Sequence, residues 1–273
     1  MPELPEVETI KNELAPHLIR DRFVGVDLFW PRVVHEPSPE AFCRRLIGQT
    51  IIDIRRRGKY LLFQLSGGQT LILHLKMSGV LLLRDASHGL ENHTSVIFRL
   101  AGGSDLHFVD QRRFGSIWLT EDENTVIGKL GGEPLDACFT PAVLDNLSSK
   151  RRVPIKVLLC DQHTIAGIGN MYADEALFAA HIHPLRKANT LSGDEIERLH
   201  RGIVKVLQDG IKRKGASVNT YRRPDGGTGK AHLEFQVAHR RGEPCPNCGS
   251  PIQRVSLRGR GTYFCARCQP DVT

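Results

Sequence analysis

The chain contains no uninterrupted apolar run approaching the ~18 residues that a membrane-spanning helix needs, which excludes a helical membrane protein. It also lacks the basic and apolar opening of a secretory signal, since Glu3, Glu6 and Glu8 occupy those positions. A cytoplasmic location is the expectation. No internal repeat and no low-complexity tract is present, which excludes a solenoid array and a disordered tail. Acidic residues are in deficit, 30 Asp and Glu against 37 Lys and Arg, for a net charge of +7. A surplus of that sign points to a polyanionic partner, most simply nucleic acid.

What is present describes a globular protein. Of 273 residues, 40% are hydrophobic and 25% charged, and the length favours two domains with room for a third, small module. Among seven cysteines, Cys43, Cys138 and Cys160 sit among apolar neighbours and read as buried, inert thiols. The other four form two C-x-x-C knuckles, Cys245-Pro246-Asn247-Cys248 and Cys265-Ala266-Arg267-Cys268. Thiolates at that spacing close a tetrahedral zinc site, and with all four positions taken by protein the zinc is structural. The basic, alternating stretch between the knuckles predicts a hairpin that presents Arg258 and Arg260 to phosphate.

The stretch Met1-Pro2-Glu3-Leu4-Pro5-Glu6-Val7-Glu8 organises the rest. Removal of the initiator methionine leaves Pro2 as a secondary amine, and a neutral amine attacks an aldehyde-like carbon by Schiff-base chemistry. Glu3 adjoins it and Glu6 lies one helical turn on, so one carboxyl can act as general acid while another orients the amine. The same residues also suit an ordinary acidic first turn.

Along the chain, Val7, Ile10, Leu14, Leu18 and Ile19 predict an amphipathic helix over 6–19, with Pro16 set to bend or end it. From 23 to about 119, short β-rich runs separated by turn signals such as Ser66-Gly67-Gly68 predict a sandwich or barrel. A boundary falls near Lys129–Pro134, after which helices are expected over 140–148, 154–161, 170–180 and 192–213. The turn Ala166-Gly167-Ile168-Gly169 suits a tight helical hairpin and places Asn170 near an anion-binding helix start.

The motifs "PELPEVE", "RRGKYLL", "HLKMSG", "DQRRFG", "AGIGNMYADE" and "GRGTYFCARCQ", in this order over the whole chain, resemble the bacterial formamidopyrimidine-DNA glycosylases, also called 8-oxoguanine DNA glycosylases. Leu4 in "PELPE" favours this branch over the endonuclease VIII type. Residue pattern and resemblance together imply an α+β multidomain protein: an N-terminal helix plus β-sandwich (1–131), a helix–two-turn–helix domain (132–235) and a zinc ribbon (236–273). The implied function is a bifunctional DNA glycosylase and abasic-site lyase. It would excise 8-oxoguanine and formamidopyrimidines from double-stranded DNA in base excision repair, then cleave the strand by β,δ-elimination. The resemblance assigns Pro2 as nucleophile, Glu3 as acid, Lys59 to β-elimination and Arg260 to phosphate and δ-elimination. It makes His93, Arg113, Arg152 and Asn170 DNA contacts. Met77, Arg112 and Phe114 fill the space left by the extruded base. One zinc on Cys245, Cys248, Cys265 and Cys268, no membrane partner and a monomer complete the expectation. The chain departs from the family's V-Y-G-R at Val237-Ala238-His239-Arg240, and its capping loop, near 217–232, is unusually basic. An inert zinc-ribbon DNA-binding protein, or a tautomerase-like enzyme using Pro2 as base, are the competing readings.

Overall fold

Residues 1–271 are described in a computed structural model, and they fall into two compact units. The first comprises Met1–Lys129 together with Arg213–Lys230; the second comprises Leu130–Lys212 and the chain from Ala231 onward.

In the first unit, helix α1 (Leu4–Leu18) opens the chain. Its buried stripe, Val7, Ile10, Leu14 and Leu18, recurs at three- and four-residue steps, which keeps one face against the core. Pro16 does not end α1, because it lies near the C-terminus on the exposed side, where the carbonyl it leaves unpaired can meet water. Strands β1 (Phe23–Leu28), β2 (Val34–Glu36), β3 (Ile51–Arg57), β4 (Tyr60–Leu65), β5 (Thr70–His74), β6 (Gly79–Asp85), β7 (Thr94–Leu100), β8 (Ser104–Asp110) and β9 (Ser116–Thr120) follow, with α2 (Pro39–Leu46) between β2 and β3. They form a four-stranded sheet, β1-β7-β8-β6, and a five-stranded sheet, β2-β9-β5-β4-β3. All pairings are antiparallel except β2 with β9.

One apolar core joins α1 to the inner faces of both sheets: Leu61 and Phe63 of β4, Leu71 and Leu73 of β5, Phe98 of β7, and Leu106 and Phe108 of β8. These alternate along their strands, as period two requires. Helix α2 and strand β6 are not flagged by periodicity. Val80, Leu81 and Leu82 of β6 are all buried, so the run does not alternate. For α2 the local signal is Ser38-Pro39, an N-cap followed by proline, with Ala41 N–H donating to Ser38 Oγ at 3.3 Å.

In the second unit, α4 (Pro141–Ser149), α5 (Ile155–Leu159), α6 (Asn170–Ala179) and α7 (Gly193–Lys212) are helical where the period changes; a short α3 (Asn124–Ile127) precedes them in the first unit. Strands β10 (Gln253–Leu257) and β11 (Arg260–Phe264) pair as the hairpin between the cysteine knuckles. The ribbon is not an appendage, because Cys245, Ile252 and Cys265 pack with Val237 and with Phe178 of α6.

Candidate functional site

The first unit buries its acidic start. Pro2 is buried, Glu3 is 3% exposed and Glu6 is fully buried, where isolated carboxylates would be costly. Glu6 answers that cost by accepting hydrogen bonds from two directions. Glu3 N–H donates to Oε2 at 2.7 Å, the return bond of a capping box, and Ala216 N–H donates to Oε1 at 2.8 Å. A capping role for these acids and a chemical one are therefore compatible, since the box fixes Glu3 beside the chain start. The terminal amine, carried here by Met1, is held below its ordinary value by burial; Glu3 and Glu6 oppose the shift, and Lys59 and Arg112 add to it. A depressed amine is more fully neutral at working pH, and the shift reports how strongly the surroundings of the chain start disfavour a cation. Lys59 itself is 4% exposed at the turn between β3 and β4. The structure thus gathers Pro2, Glu3 and Lys59 with Arg112 around one amine.

His74, at the end of β5, borders this region. Its Nδ1 accepts from Lys76 N–H at 2.9 Å, and burial, with Lys76 and Lys59 nearby, pushes its pKa down to about 3. The ring is neutral at working pH, and the stability tied to that state is full above pH ~6.5 and is lost as pH falls toward 3.

Residues 76–78 and 111–115 are knitted by one side chain that sequence reading did not single out. Asp110 is 1% exposed. Its Oδ1 accepts from Ser78 Oγ at 2.5 Å and Arg112 N–H at 3.3 Å, and its Oδ2 accepts from Gly115 N–H at 2.6 Å. Its own N–H donates to the carbonyl of His93 at 3.0 Å. Gly79 and Gly115 flank the pair of loops because a Cβ on either would strike the Phe108 ring, at 2.8 and 2.4 Å. Lys76, His93 and Arg113 all hold positive φ, 52°, 65° and 55°, a conformation that costs of order 1–3 kcal/mol each and clusters at working sites.

This scaffold displays Met77, 44% exposed, and Phe114, 52% exposed, with the Arg112 guanidinium 4.7 Å from the Phe114 ring centroid. The Arg113 guanidinium lies 4.3 Å from the Trp30 ring centroid. Exposed apolar side chains held on a strained frame suit insertion between base pairs. Asp110→Asn replaces an acceptor with a donor and should cost about 1–3 kcal/mol of loop ordering. The expected result is a fall of about tenfold in affinity for damaged duplex, checked by titration, with incision of preformed abasic sites largely kept.

In the second unit, Asn170 begins α6, and its Nδ2 donates to the Gly261 carbonyl at 2.9 Å; its buried Oδ1 has no partner among the described residues. Lys156 and Asp174, both buried, pair at 2.7 Å. Lys156 Nζ also donates to Thr262 Oγ1 at 2.9 Å and the Gly261 carbonyl at 3.2 Å, while Tyr263 N–H donates to Asp174 Oδ2 at 3.1 Å. Burial raises Asp174 to about 7 although Lys156 opposes the shift. Gly261, Thr262 and Tyr263 follow Arg260 directly, so this cluster fixes the strand that carries it. Arg260 is exposed and, with Arg151, Arg258 and His163, lines a cavity of about 430 Å³. Arg152 is exposed beside that lining and is not part of it.

The four knuckle sulfurs lie within 4.8 Å of one another, with Sγ pairs at 3.8 Å (Cys245, Cys268) and 3.4 Å (Cys248, Cys265). Zinc–sulfur bonds of about 2.3 Å in a tetrahedron set the sulfurs about 3.8 Å apart, so the donor set fits zinc. Burial pushes the Cys265 and Cys268 thiols up, and a zinc held by the four sulfurs would draw their protons off.

A helix-bearing sandwich, a helical hairpin and a four-cysteine ribbon in one chain make up the architecture of the zinc-ribbon DNA glycosylases. Three family models match in order: the formamidopyrimidine-DNA glycosylase N-terminal domain over residues 1–117, its H2TH domain over 130–222, and the zinc finger found in FPG and IleRS over 242–270. The chain belongs to the formamidopyrimidine-DNA glycosylase family. It is 44% identical to the formamidopyrimidine-DNA glycosylase of Symbiobacterium thermophilum, over 99% of this chain and 90% of that one. To that of Geobacillus kaustophilus it is 43% identical, over 98% and 100%. A Lactococcus lactis FPG variant, solved in complex with a Fapy-dG containing DNA, superposes with a TM-score of 0.93 at 36% identity, over 99% and 100% of the two chains. The MutM (FPG) protein of Thermus thermophilus gives 0.89 at 37%, over 98% of each.

Proposed function

We propose that this protein is a bifunctional DNA glycosylase and abasic-site lyase acting on oxidised purines in double-stranded DNA, in the cytoplasm as part of base excision repair. The observation that carries the reading is the buried chain start, where Pro2 and Glu3 are shielded from water, Glu3 N–H is held by Glu6 at 2.7 Å, and Lys59 is buried at the neighbouring β3–β4 turn. Relatives solved on DNA containing Fapy-dG and on DNA containing an abasic site support the substrate class.

A base within a duplex is out of reach, so the nucleotide must leave the stack at a cost of a few kcal/mol. Met77 and Phe114 replace the lost stacking, and Arg112 reads the edge of the orphaned base. Pro2 N attacks C1′ as Glu3 delivers a proton and the base departs; the proton released from the proline nitrogen passes to O4′ as the C1′–O4′ bond breaks, leaving an iminium on the opened sugar. The iminium acidifies the C2′ proton. Its removal, assisted by Lys59, expels the 3′ phosphate; loss of a second proton expels the 5′ phosphate, with Arg260 holding phosphate charge. The four-cysteine zinc takes no part in these steps. Its role is to hold the hairpin that carries Arg260.

His93, Arg113, Arg152 and Asn170 serve the DNA backbone in this reading. Binding to undamaged duplex is expected to weaken steeply with salt, because each neutralised phosphate adds ~0.9 to the log–log slope. Arg113→Ala or Arg152→Ala should lower the slope by about one without altering lesion preference. A slope near zero would remove the phosphate-binding picture. Nicking of abasic duplex separates the reading from its rivals: an inert DNA-binding protein binds and does not cut, and a tautomerase does neither.

A further inference from the structure

Trp30, in the first unit, carries two arginines on one ring. The Arg113 guanidinium lies 4.3 Å from the ring centroid and the Arg32 guanidinium 5.6 Å, both within the ~6 Å over which a ring quadrupole attracts a cation. Both arginines are exposed, and among the described residues neither is paired with a carboxylate. Other arginines of the unit are answered: Arg55 meets Glu123 at 2.8 Å, Arg56 meets Glu8 at 2.7 Å and Arg84 meets Glu91 at 2.7 Å. Two unanswered cations no more than about 10 Å apart repel each other until an anion joins them.

The ring sits on a fixed seat. Phe29 N–H and Trp30 N–H both donate to the Ser95 carbonyl of β7, at 2.9 and 3.1 Å. Val33 N–H donates to the Trp30 carbonyl at 3.1 Å, closing a single tight turn whose Val33 is buried in the core. The segment is then fastened to the chain that follows Phe114. Strand β2 runs parallel to β9, His35 Nε2 and Ser116 Oγ are hydrogen-bonded at 3.0 Å, and the His35 ring stacks on Trp118 with centroids 4.9 Å apart. Residues 30–35 and 113–118 thus form one surface, and the ring receives Arg113 from its strained backbone, φ 55°. Neither Trp30 nor Arg32 lies in the motifs that carry the family resemblance.

We propose that Trp30, Arg32 and Arg113 form a phosphate site for the duplex backbone, with Arg32 touching phosphate and Trp30 a positioning residue that sets both guanidiniums. The inference rests on the DNA-binding reading above and adds two residues to it. Phosphate charges recur every ~3.4 Å of helix axis along one strand, so two guanidiniums this close reach neighbouring phosphates. Arg113 adjoins Phe114, so the site grips the backbone beside the inserted side chains and fixes their register on the duplex. A guanidinium laid flat on a ring keeps its N–H edge free for two phosphate oxygens, whereas a lysine has no plane to lay down.

The test measures Kd of the full chain for undamaged duplex across a salt series. Arg32→Ala is expected to raise Kd about tenfold at low salt and to lower the log–log slope by about one, as loss of one phosphate contact requires. Arg201→Ala, which removes an exposed charge from α7, should leave the slope unchanged. Trp30→Leu removes no charge, yet should raise Kd about tenfold because both guanidiniums lose their seat. Trp30→Phe restores a ring face and should recover most of that loss. Added to Trp30→Leu, Arg32→Ala should raise Kd by less than about threefold more, since the two act through one site. Arg32 is exposed, so its variant keeps the fold and carries the test should Trp30→Leu unfold. An unchanged slope in Arg32→Ala, an equal fall in Arg201→Ala, or equal losses in Trp30→Leu and Trp30→Phe would overturn the site. A slope near zero in the unaltered protein would sink the DNA-backbone reading instead, so the two failures are distinct.

Discussion

Borohydride added during turnover on damaged duplex is expected to leave DNA covalently attached to the N-terminal peptide. The reduced bond would be the iminium between the Pro2 nitrogen and C1′, and peptide mapping identifies its position. Retaining Met1 should abolish trapping, because the proline nitrogen is then an amide without a basic lone pair. Pro2→Gly should keep partial activity, since a primary amine still forms a Schiff base but with looser orientation. Glu3→Gln should lower base excision by about 10²–10⁴-fold, the usual contribution of a general acid, because an amide cannot supply the proton. Glu3 sits 3% exposed within a capping box, and glutamine preserves most of that packing. Incision of a preformed abasic site should survive in the same variant, as no base has to leave. An adduct mapped to Lys59 would move the nucleophile to the turn between β3 and β4 and leave the lyase reading standing.

Loss of zinc is the second large effect. Metal analysis should return about one zinc per chain, and Cys248→Ser or chelation should dissolve the β10–β11 hairpin, since structural zinc is worth on the order of 10–16 kcal/mol in isolated fingers. Because Cys245, Cys265 and Ile252 pack on Phe178 and Val237, the damage should spread into α6 and not stop at the ribbon. DNA binding and δ-elimination should then fall together, by about 100-fold or more, since Arg260 loses the strand that aims it. The melting transition of the first unit should persist, as its core draws on α1 and two sheets and on no cysteine ligand. Freshly purified protein without zinc, folded and active, would refute the assignment.

Much of this was legible in the residues themselves. The two C-x-x-C knuckles are local, and thiolate chemistry at that spacing has few other uses, so the ligand set can be read directly. The β-rich runs and the later helices show because burial on one face imposes period two or 3.6. The Pro2-Glu3 start suited either an ordinary capped turn or amine chemistry, and only the ensemble of motifs favoured the second; the basic surplus pointed to the kind of partner, and the resemblance of "HLKMSG" and "DQRRFG" to family motifs picked out Met77, Arg112, Arg113 and Phe114 as candidates. Those readings need only short spans of chain, where neighbouring residues decide one another's environment.

Tertiary structure decided what depends on residues distant in sequence. Asp110 ends a strand as many aspartates do, and only the approach of residues 76–78 to 111–115 makes its carboxylate the knot between them. Glu6 takes Glu3 N–H at the cap of its own helix and Ala216 N–H from 210 residues further along the chain, so composition could not show that the lysine- and arginine-rich loop closes on the acidic start. Part of the basic character of this region is explained the same way: Arg223 of the loop and Lys214 just before it both meet Glu13, which is an unremarkable helix glutamate until the chain returns to it. Local pattern fixes which faces are buried and which atoms bind metal, because those follow from period and donor chemistry. Which buried carboxylate meets which distant amide is settled by packing, because only the folded chain brings the donors that make burial of that charge affordable.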